Sequence, residues 1–166
     1  MHAEAWAYLS KIRGFLGSVA GLSVLEFGSH DVNGSPRALF LGCLEYVGID
    51  PWDGPGVDVV SRAQDYDGRE RFDIVISAET LEHDEDPEGH ILSAWQALKH
   101  GGKLILTAAA PPREPHRCGG QLGDLNGEYY RNIGPDRLRE LLAGWRIFEI
   151  QHDKRHGDIY ATATKP

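Results

Sequence analysis

The sequence has little cysteine and no long apolar run. Its two cysteines, Cys43 and Cys118, lie far apart and form no CxxC pair, which argues against a disulfide framework or a zinc knuckle. No apolar stretch approaches the roughly 20 residues of a membrane helix. The first 21 residues also lack the pattern of a secretory signal peptide. A reducing cytoplasm is therefore the expected location, and no membrane is expected as a partner.

Basic residues are also scarce, with 17 Lys and Arg against 25 Asp and Glu and a formal net charge of −8. A negative surface repels phosphate backbones and forgoes the counterion release that drives nonspecific binding, so no long nucleic acid is expected as a partner. Residues 111–139 differ from the rest of the chain in charge, because this segment contains five arginines and four acidic residues. This segment is either an ordinary surface loop or a docking place for a small anionic acceptor.

Apolar strand patterns alternate with helical ones along 166 residues, a length that suits one domain. Helices are predicted at 4–19, within an N-terminal segment 1–20, and at 34–41, 87–99 and 135–142. Strands are predicted at 22–27, 45–49, 57–60, 72–77, 103–108, 146–150 and 158–164. Such alternation predicts an α/β fold with a doubly wound, mostly parallel sheet of seven strands. The last two strands have little between them, which predicts an antiparallel hairpin.

Residues 109–134 fit neither a helix nor a strand. The segment is rich in proline, glycine and charge, and it contains His116, Tyr129 and Tyr130. Long loops in compact domains are usually lids or binding loops, so a lid or acceptor loop is predicted here.

The first predicted strand runs into a glycine-containing turn, VLEFGSHDVNGS (24–35). Gly28 and Gly34 would let the backbone pass close to a ligand, at the turn where doubly wound sheets hold their ligands. The spacing is not GxGxxG, which disfavours a dinucleotide pyrophosphate. Glu26 and Asp31 suit a cationic ligand instead. A plain strand-to-helix turn is the alternative.

The second predicted strand ends in YVGIDPWDG (46–54), with Asp50 at its tip, 22 residues after Gly28. A carboxylate at this place can accept hydrogen bonds from both hydroxyls of a ribose. Pro51 and Trp52 follow and can pack on the face of an adenine. The alternative is an aspartate that ends the strand and starts a turn.

The fourth predicted strand leads into SAETLEHDEDPEGH (77–90), where His83 lies among acidic residues. A helix N-terminus favours acids, which accounts for residues 84–86. A metal site from His83 and the carboxylates is the other interpretation. Because the residues are consecutive and not spaced along one face, no metal is expected.

Four segments together resemble, in order and spacing, the class I S-adenosylmethionine-dependent methyltransferases. They are VLEFGSHDVNG, YVGIDPWDGPGVDVV, FDIVISAETLEHDEDP and LKHGGKLILTAAAPP, and they span about residues 21–112. The resemblance is to the compact branch with "LEH" after the fourth strand and "GG" before the fifth. It implies a Rossmann-like sheet, S-adenosyl-L-methionine as cofactor and methyl transfer as the reaction.

Carried over by position, the resemblance implies a cofactor site in which Asp50 holds the ribose while Ala78 and Glu79 border the methionine end. The full implied set is Glu26, Gly28, Ser29, Gly34, Asp50, Pro51, Trp52, Ala63, Ala78 and Glu79. The chain departs from the family after the third strand, where SRAQD puts Arg62 and Ala63 at the usual position of an acidic residue. Asp65, or a backbone group at Ala63, would then read the adenine.

Candidates for the acceptor side are fewer. His83 and His116 are predicted general bases, although His83 could instead be structural and His116 a solvated loop residue. Substrate binding is predicted for Arg113, Tyr129, Tyr130 and Arg131. The expected reaction is methyl transfer to an oxygen or nitrogen of a small molecule or sugar, with a small molecule or glycan as partner; the oligomeric state stays open.

Two other functions compete with this prediction. One is a non-catalytic binding or partner subunit that keeps the same fold. The other is a nicotinamide-dependent oxidoreductase, which the broken glycine pattern disfavours.

Overall fold

The computed structural model describes residues 2–118, 122 and 125–166. Within them the helices are α1 (Ala3–Leu16), α2 (Pro87–Ala97) and α3 (Pro135–Leu141). The strands are β1 (Ser23–Phe27), β2 (Glu45–Asp50), β3 (Val59–Val60), β4 (Phe72–Ala78), β5 (Leu98–Ala109), β6 (Arg146–Asp153) and β7 (Asp158–Thr164).

One sheet contains all seven of these strands in the order β3-β2-β1-β4-β5-β7-β6. The pairs among β1 to β5 are parallel, whereas β7 runs antiparallel to both β5 and β6. The predicted mostly parallel sheet with an antiparallel hairpin is therefore confirmed. The strand order reverses between β1 and β4, so the crevice that such sheets offer to ligands lies at the carboxyl ends of these two strands.

The sheet is covered on both faces, which explains why β4 is a continuous apolar run. Ile74, Val75 and Ile76 are all fully buried. On one face, Leu9 and Ile12 of α1 pack in a cluster with Ile74 and Ile76. On the other face, residues of α2 and α3 pack in a second cluster that contains Val75.

The ends of the helices follow local signals. Helix α1 ends at Leu16, earlier than predicted, because Gly17 turns the chain with a φ of 69°. Helix α2 begins after Asp86, whose carboxylate accepts a hydrogen bond from the Gly89 N–H. Among the described residues, no helix is both long and apolar enough to cross a membrane.

The predicted helix at 34–41 is instead a five-residue 3-10 turn, Pro36–Phe40. Ser35 caps it and Pro36 starts it, but Leu41 leaves helical geometry and Gly42 follows with a φ of 85°. The turn after β1 therefore lacks the long helix whose N-terminus would attract an anion.

Most of segment 109–134 has no regular structure in its described part, apart from a single bridge between His116 and Leu122. Residues 119–121, 123 and 124 of the predicted lid lie outside the described residues.

Candidate functional site

A cavity of about 720 Å³ opens at the carboxyl ends of β1, β2 and β4. Its volume lies within the usual range for small-molecule sites. All ten residues of the predicted cofactor set line it, and so do His83 and His116. The residues predicted from the sequence therefore lie on one contiguous surface, because parallel strands bring their carboxyl ends to the same edge of the sheet.

Gly28 shapes the turn after β1. Its φ is 72°, and an added Cβ would lie 2.1 Å from the Thr80 hydroxyl oxygen. The backbone N–H groups of Gly28 and Ser29 both donate to the Ile49 carbonyl, at 2.9 and 3.0 Å. Only glycine fits this turn, which packs between the ends of β2 and β4. The Ser29 hydroxyl is buried without a hydrogen-bond partner.

Asp50 ends β2 beside this turn and faces the same cavity. One carboxylate oxygen accepts from the Trp52 N–H at 2.9 Å, and the other accepts from the His30 N–H at 3.2 Å. These bonds fix the carboxylate between two loops. Each oxygen keeps a further lone pair for a ligand hydroxyl.

Glu26 is a buried carboxyl group at the base of the cavity, with 2% of its surface exposed. Tyr46 donates a hydrogen bond to it at 2.8 Å, and Ser35 donates one at 3.3 Å. Burial raises the pKa of Glu26 to about 7, because these bonds offset only part of the lost hydration.

Gln64 lines the cavity after β3 and was not predicted from the sequence. Its Nε2 donates to the Asp84 carboxylate at 3.0 and 2.9 Å and to the Asp86 carbonyl at 3.0 Å. This fixes the amide and leaves Oε1 buried without a partner. The sequence did contain a signal for Gln64. Its side chain has a carbonyl, and it lies in the turn where the methyltransferase family that the sequence resembles usually has an acidic residue.

Not every neighbour of Gln64 in the sequence lines the cavity. Ala63 and Arg62 line the cavity, but Asp65, the predicted substitute, is not among the described lining residues. The Arg62 guanidinium lies 3.6 Å from the Asp84 carboxylate.

A chain of hydrogen bonds from Ser77 through His90 to Asp84, called the relay below, holds the Asp84 carboxylate in place. The His90 ring lies 2.9 Å from an Asp84 oxygen through Nδ1 and 3.0 Å from the Ser77 hydroxyl through Nε2. Burial raises the pKa of Asp84, but the His90 contact and other hydrogen bonds outweigh it and hold the pKa below its usual range. The relay joins β4 to α2 and so positions the wall that contains Gln64.

Glu79 follows β4 with a φ of 54°, an uncommon conformation for a residue with a side chain. Its Oε2 lies 3.3 Å from the Arg113 guanidinium and 3.5 Å from the His2 ring, while Oε1 is buried without a partner. Arg113 also pairs with the fully buried Asp158. Because Arg113 is held by two carboxylates, an anionic acceptor would have to displace one of them.

The imidazole rings of His83 and His116 meet edge to face at the far end of the cavity, with centroids 5.2 Å apart. Tyr130 packs against both rings, with centroids 5.4 and 4.7 Å away. Burial and the neighbouring His116 lower the pKa of His83 to about 4. Burial also lowers the pKa of His116. Both rings are therefore neutral at pH 7.

Glu82 lies fully buried beside these rings and was not predicted as a site residue. Its Oε1 accepts from the Ala109 N–H at 3.0 Å, and its Oε2 has no partner. Burial, together with the charge of Glu79, raises the pKa of Glu82 to about 8.

The other predicted acceptor residues do not all line the main cavity. Tyr129 lines both the main cavity and a second cavity of about 240 Å³, whereas Arg131 lines the second cavity but is not among the described lining residues of the main one. Tyr130 reaches the site through its ring contacts, and its hydroxyl donates to Asn132 at 2.6 Å.

Comparison with known proteins gives one family match. A family model described as a methyltransferase domain matches residues 33–106. No curated protein sequence shows significant similarity to the chain.

Several solved structures share the fold. 1,6-Didemethyltoxoflavin-N1-methyltransferase of Burkholderia thailandensis, solved with 1,6-didemethyltoxoflavin and S-adenosylhomocysteine, has a TM-score of 0.77 and 18% identity, over 98% of this chain and 78% of that one. An S-adenosylmethionine-dependent methyltransferase of Mesorhizobium loti has a TM-score of 0.73 and 17% identity, over 98% of both chains. A Haloferax volcanii protein solved with the Trm112 methyltransferase activator has a TM-score of 0.72 and 15% identity, over 98% of this chain and 90% of that one. Identities this low establish the common fold, and the ligands and partners are those of the relatives.

Proposed function

Since this chain belongs to the class I S-adenosylmethionine-dependent methyltransferases, we propose that it methylates an oxygen or nitrogen atom of a small molecule or a sugar. One observation carries this proposal: a single cavity joins Asp50 and the Gly28 turn to the His83 and His116 rings. The first pair suits a nucleoside, and the second pair suits an acceptor.

The nucleoside end offers polar atoms that fit S-adenosylmethionine. Asp50 would accept hydrogen bonds from the ribose hydroxyls, and the exposed Trp52 ring would cover the adenine. The free Oε1 of Gln64 would accept a hydrogen bond from the adenine amino group. Buried acceptors without partners are costly, so these atoms favour a ligand that donates to them.

The methionine end is bordered by Ala78 and Glu79, with Glu26 deeper in the cavity. Carboxylates suit the positive charge of the cofactor. The bound cofactor supplies an electrophilic methyl group: the acceptor lone pair bonds to the methyl carbon, while the sulfur–carbon bond breaks and its electron pair stays on sulfur. The protein orients the acceptor for this in-line displacement and takes up its proton.

The acceptor end is formed by His83, His116 and Tyr129. A neutral ring nitrogen can accept a proton, but a pKa of about 4 makes His83 a weak base at neutral pH. A cavity of this size supports a small acceptor or one protruding group of a larger molecule. The Burkholderia relative, which binds the small molecule 1,6-didemethyltoxoflavin, adds support.

We also propose that the described part of segment 109–134 covers the acceptor, since His116, Cys118, Glu128 and Tyr129 line the cavity. Cytoplasmic location stays a prediction, with which the two free thiols of Cys43 and Cys118 are compatible.

Isothermal titration calorimetry tests the cofactor proposal. S-adenosylhomocysteine should bind the wild-type protein, and Asp50→Ala should weaken binding by about 1–3 kcal/mol, because two hydrogen bonds to a charged group are lost. Asp53→Ala is the matched control, an exposed aspartate on the same loop that is not among the described lining residues.

Other outcomes would contradict the proposal. Binding of NADH without S-adenosylhomocysteine would favour an oxidoreductase. Binding of S-adenosylhomocysteine without methyl transfer to any of a panel of hydroxyl and amine acceptors would favour the non-catalytic subunit.

A further inference from the structure

Three side chains meet at the acceptor end of the cavity with the composition of a metal site. One carboxylate oxygen of Glu82 and one ring nitrogen each of His83 and His116 all lie within 4.8 Å of one another. Two come from the short 3-10 turn Leu81–His83, and the third comes from the loop after β5. The loop thus adds a ligand that sequence spacing did not reveal.

Two atoms of this cluster have no hydrogen-bond partner although they are buried. They are Oε2 of Glu82, a residue with 0% of its surface exposed, and Nδ1 of His83. A buried polar atom that makes no hydrogen bond costs about 1–3 kcal/mol, and a charged one costs more. A ligand that binds these two atoms would offset this cost.

The remaining hydrogen bonds orient the cluster toward a common point. Oε1 of Glu82 is held by the Ala109 N–H, and Nδ1 of His116 lies 3.3 Å from the Glu114 carbonyl. The second contact orients the His116 ring through Nδ1, as outer contacts do in metal sites.

The electrostatics also favour a cation. Glu79 lies close enough for its charge to act on Glu82, and its Oε1 is buried and unpartnered as well. Arg113 is already shared between Glu79 and Asp158. A positive ion between Glu82 and the rings would stabilise the ionised form of both buried carboxyl groups.

We propose that Glu82, His83 and His116 bind one divalent transition-metal cation, such as Zn²⁺ or Mn²⁺. Two imidazoles with one carboxylate suit transition metals, whereas Mg²⁺ prefers oxygen ligands and water. Ligand atoms bound at about 2.1 Å lie at most about 4.2 Å apart, so small side-chain rotations complete the site. This proposal departs from the sequence expectation that no metal binds, which stays a prediction.

The use of the cation rests on the proposed methyl transfer. Three protein ligands leave open positions for an acceptor oxygen, and a hydroxyl bound to a divalent cation loses its proton more easily. The cation would therefore activate the acceptor hydroxyl in place of a general base. It would also select an acceptor that presents a hydroxyl oxygen.

Calorimetry on protein stripped with EDTA tests the site directly. ZnCl₂ and MnCl₂ should each bind at one equivalent, MgCl₂ should bind at least tenfold more weakly, and Mn²⁺ should give an altered electron paramagnetic resonance spectrum. His116→Ala and Glu82→Gln should weaken Zn²⁺ and Mn²⁺ binding by roughly tenfold or more. His100→Ala, an exposed histidine, should bind as the wild type does.

The contrary results are equally specific. The site is refuted if the wild type takes up neither cation, if His116→Ala binds as tightly as His100→Ala, or if Mg²⁺ binds more tightly than Zn²⁺. Circular dichroism checks each variant, and His116→Ala decides if Glu82→Gln does not fold. S-adenosylhomocysteine binding to protein that takes up no cation would refute the metal site alone. Cation binding without S-adenosylhomocysteine binding would refute the proposed function alone.

Discussion

Asp50 and Glu26 are both buried carboxyl groups at the cavity, but they accept hydrogen bonds from different donors. Asp50 is held by two backbone N–H groups, whereas Glu26 has only two hydroxyl donors and is deeper in the protein. Neutral donors compensate a buried carboxylate only in part. The charge of Glu26 therefore changes near neutral pH, with a pKa of about 7.

The raised pKa of Glu26 predicts a stability change with pH. The native state holds the proton up to about pH 7, whereas the unfolded chain releases it near pH 4.5, so stability should fall as pH rises between these values. The loss should reach about 3 kcal/mol. Glu26→Gln should remove this contribution and leave that of Glu82, whose pKa is also raised; urea unfolding at pH 4.5 and 7.5 would measure the difference. Glu114→Gln, an exposed carboxylate, should keep the wild-type slope; equal slopes in both variants would contradict the prediction.

The elements of the fold were largely predictable because their signals are local. The apolar run of β4 and the terminal hairpin follow from periodicity, and β7 spans the predicted residues 158–164. The turn Pro36–Phe40 was predicted as a helix, since a favourable cap does not show how soon a helix ends. Gln64 and Glu82 escaped prediction because their unpartnered atoms arise only from tertiary packing.

The relay from Ser77 through His90 to Asp84 is such a tertiary feature, and it links β4 to α2. His90→Phe should fill a similar volume beside Phe27 but leave the Ser77 hydroxyl buried without its partner. We expect a loss of about 2–4 kcal/mol in the free energy of unfolding. Weaker S-adenosylhomocysteine binding should accompany it, because Asp84 no longer fixes Gln64.

Urea unfolding and calorimetry would measure the two effects of His90→Phe. Ser93→Ala on the same helix removes only a local bond to the Gly89 carbonyl and should change both quantities little. An undiminished affinity in folded His90→Phe protein would show that the relay does not position the cavity wall.

Across the whole molecule, one arginine ties distant parts of the chain together. Arg113 pairs with Glu79 at the end of β4 and with Asp158 at the start of β7, and it donates to the His156 carbonyl at 3.0 Å. Tyr160 donates a further hydrogen bond to Asp158 at 3.0 Å. Substrate binding was predicted for Arg113 from its place in the loop, since the partners of a loop residue cannot be read from spacing.

Substitution of Arg113 should lower the stability of the folded protein. Arg113→Met leaves the carboxyl groups of Glu79 and Asp158 buried without their cation, which should cost about 3–5 kcal/mol of folding stability at pH 7. Burial already raises the pKa of both groups, and loss of the arginine should raise both further. Native carboxyl groups with raised pKa values hold protons that the unfolded chain releases, so the variant should be more stable at pH 5 than at pH 7.

Urea unfolding at the two pH values measures this, with Arg155→Met as the control, an exposed arginine in the turn between β6 and β7. Arg113→Met combined with Asp158→Asn should recover part of the loss, because only one buried carboxylate then lacks a partner. A variant that loses less than about 1 kcal/mol, the upper limit for most exposed ion pairs, would mean that Arg113 is free to serve the acceptor after all.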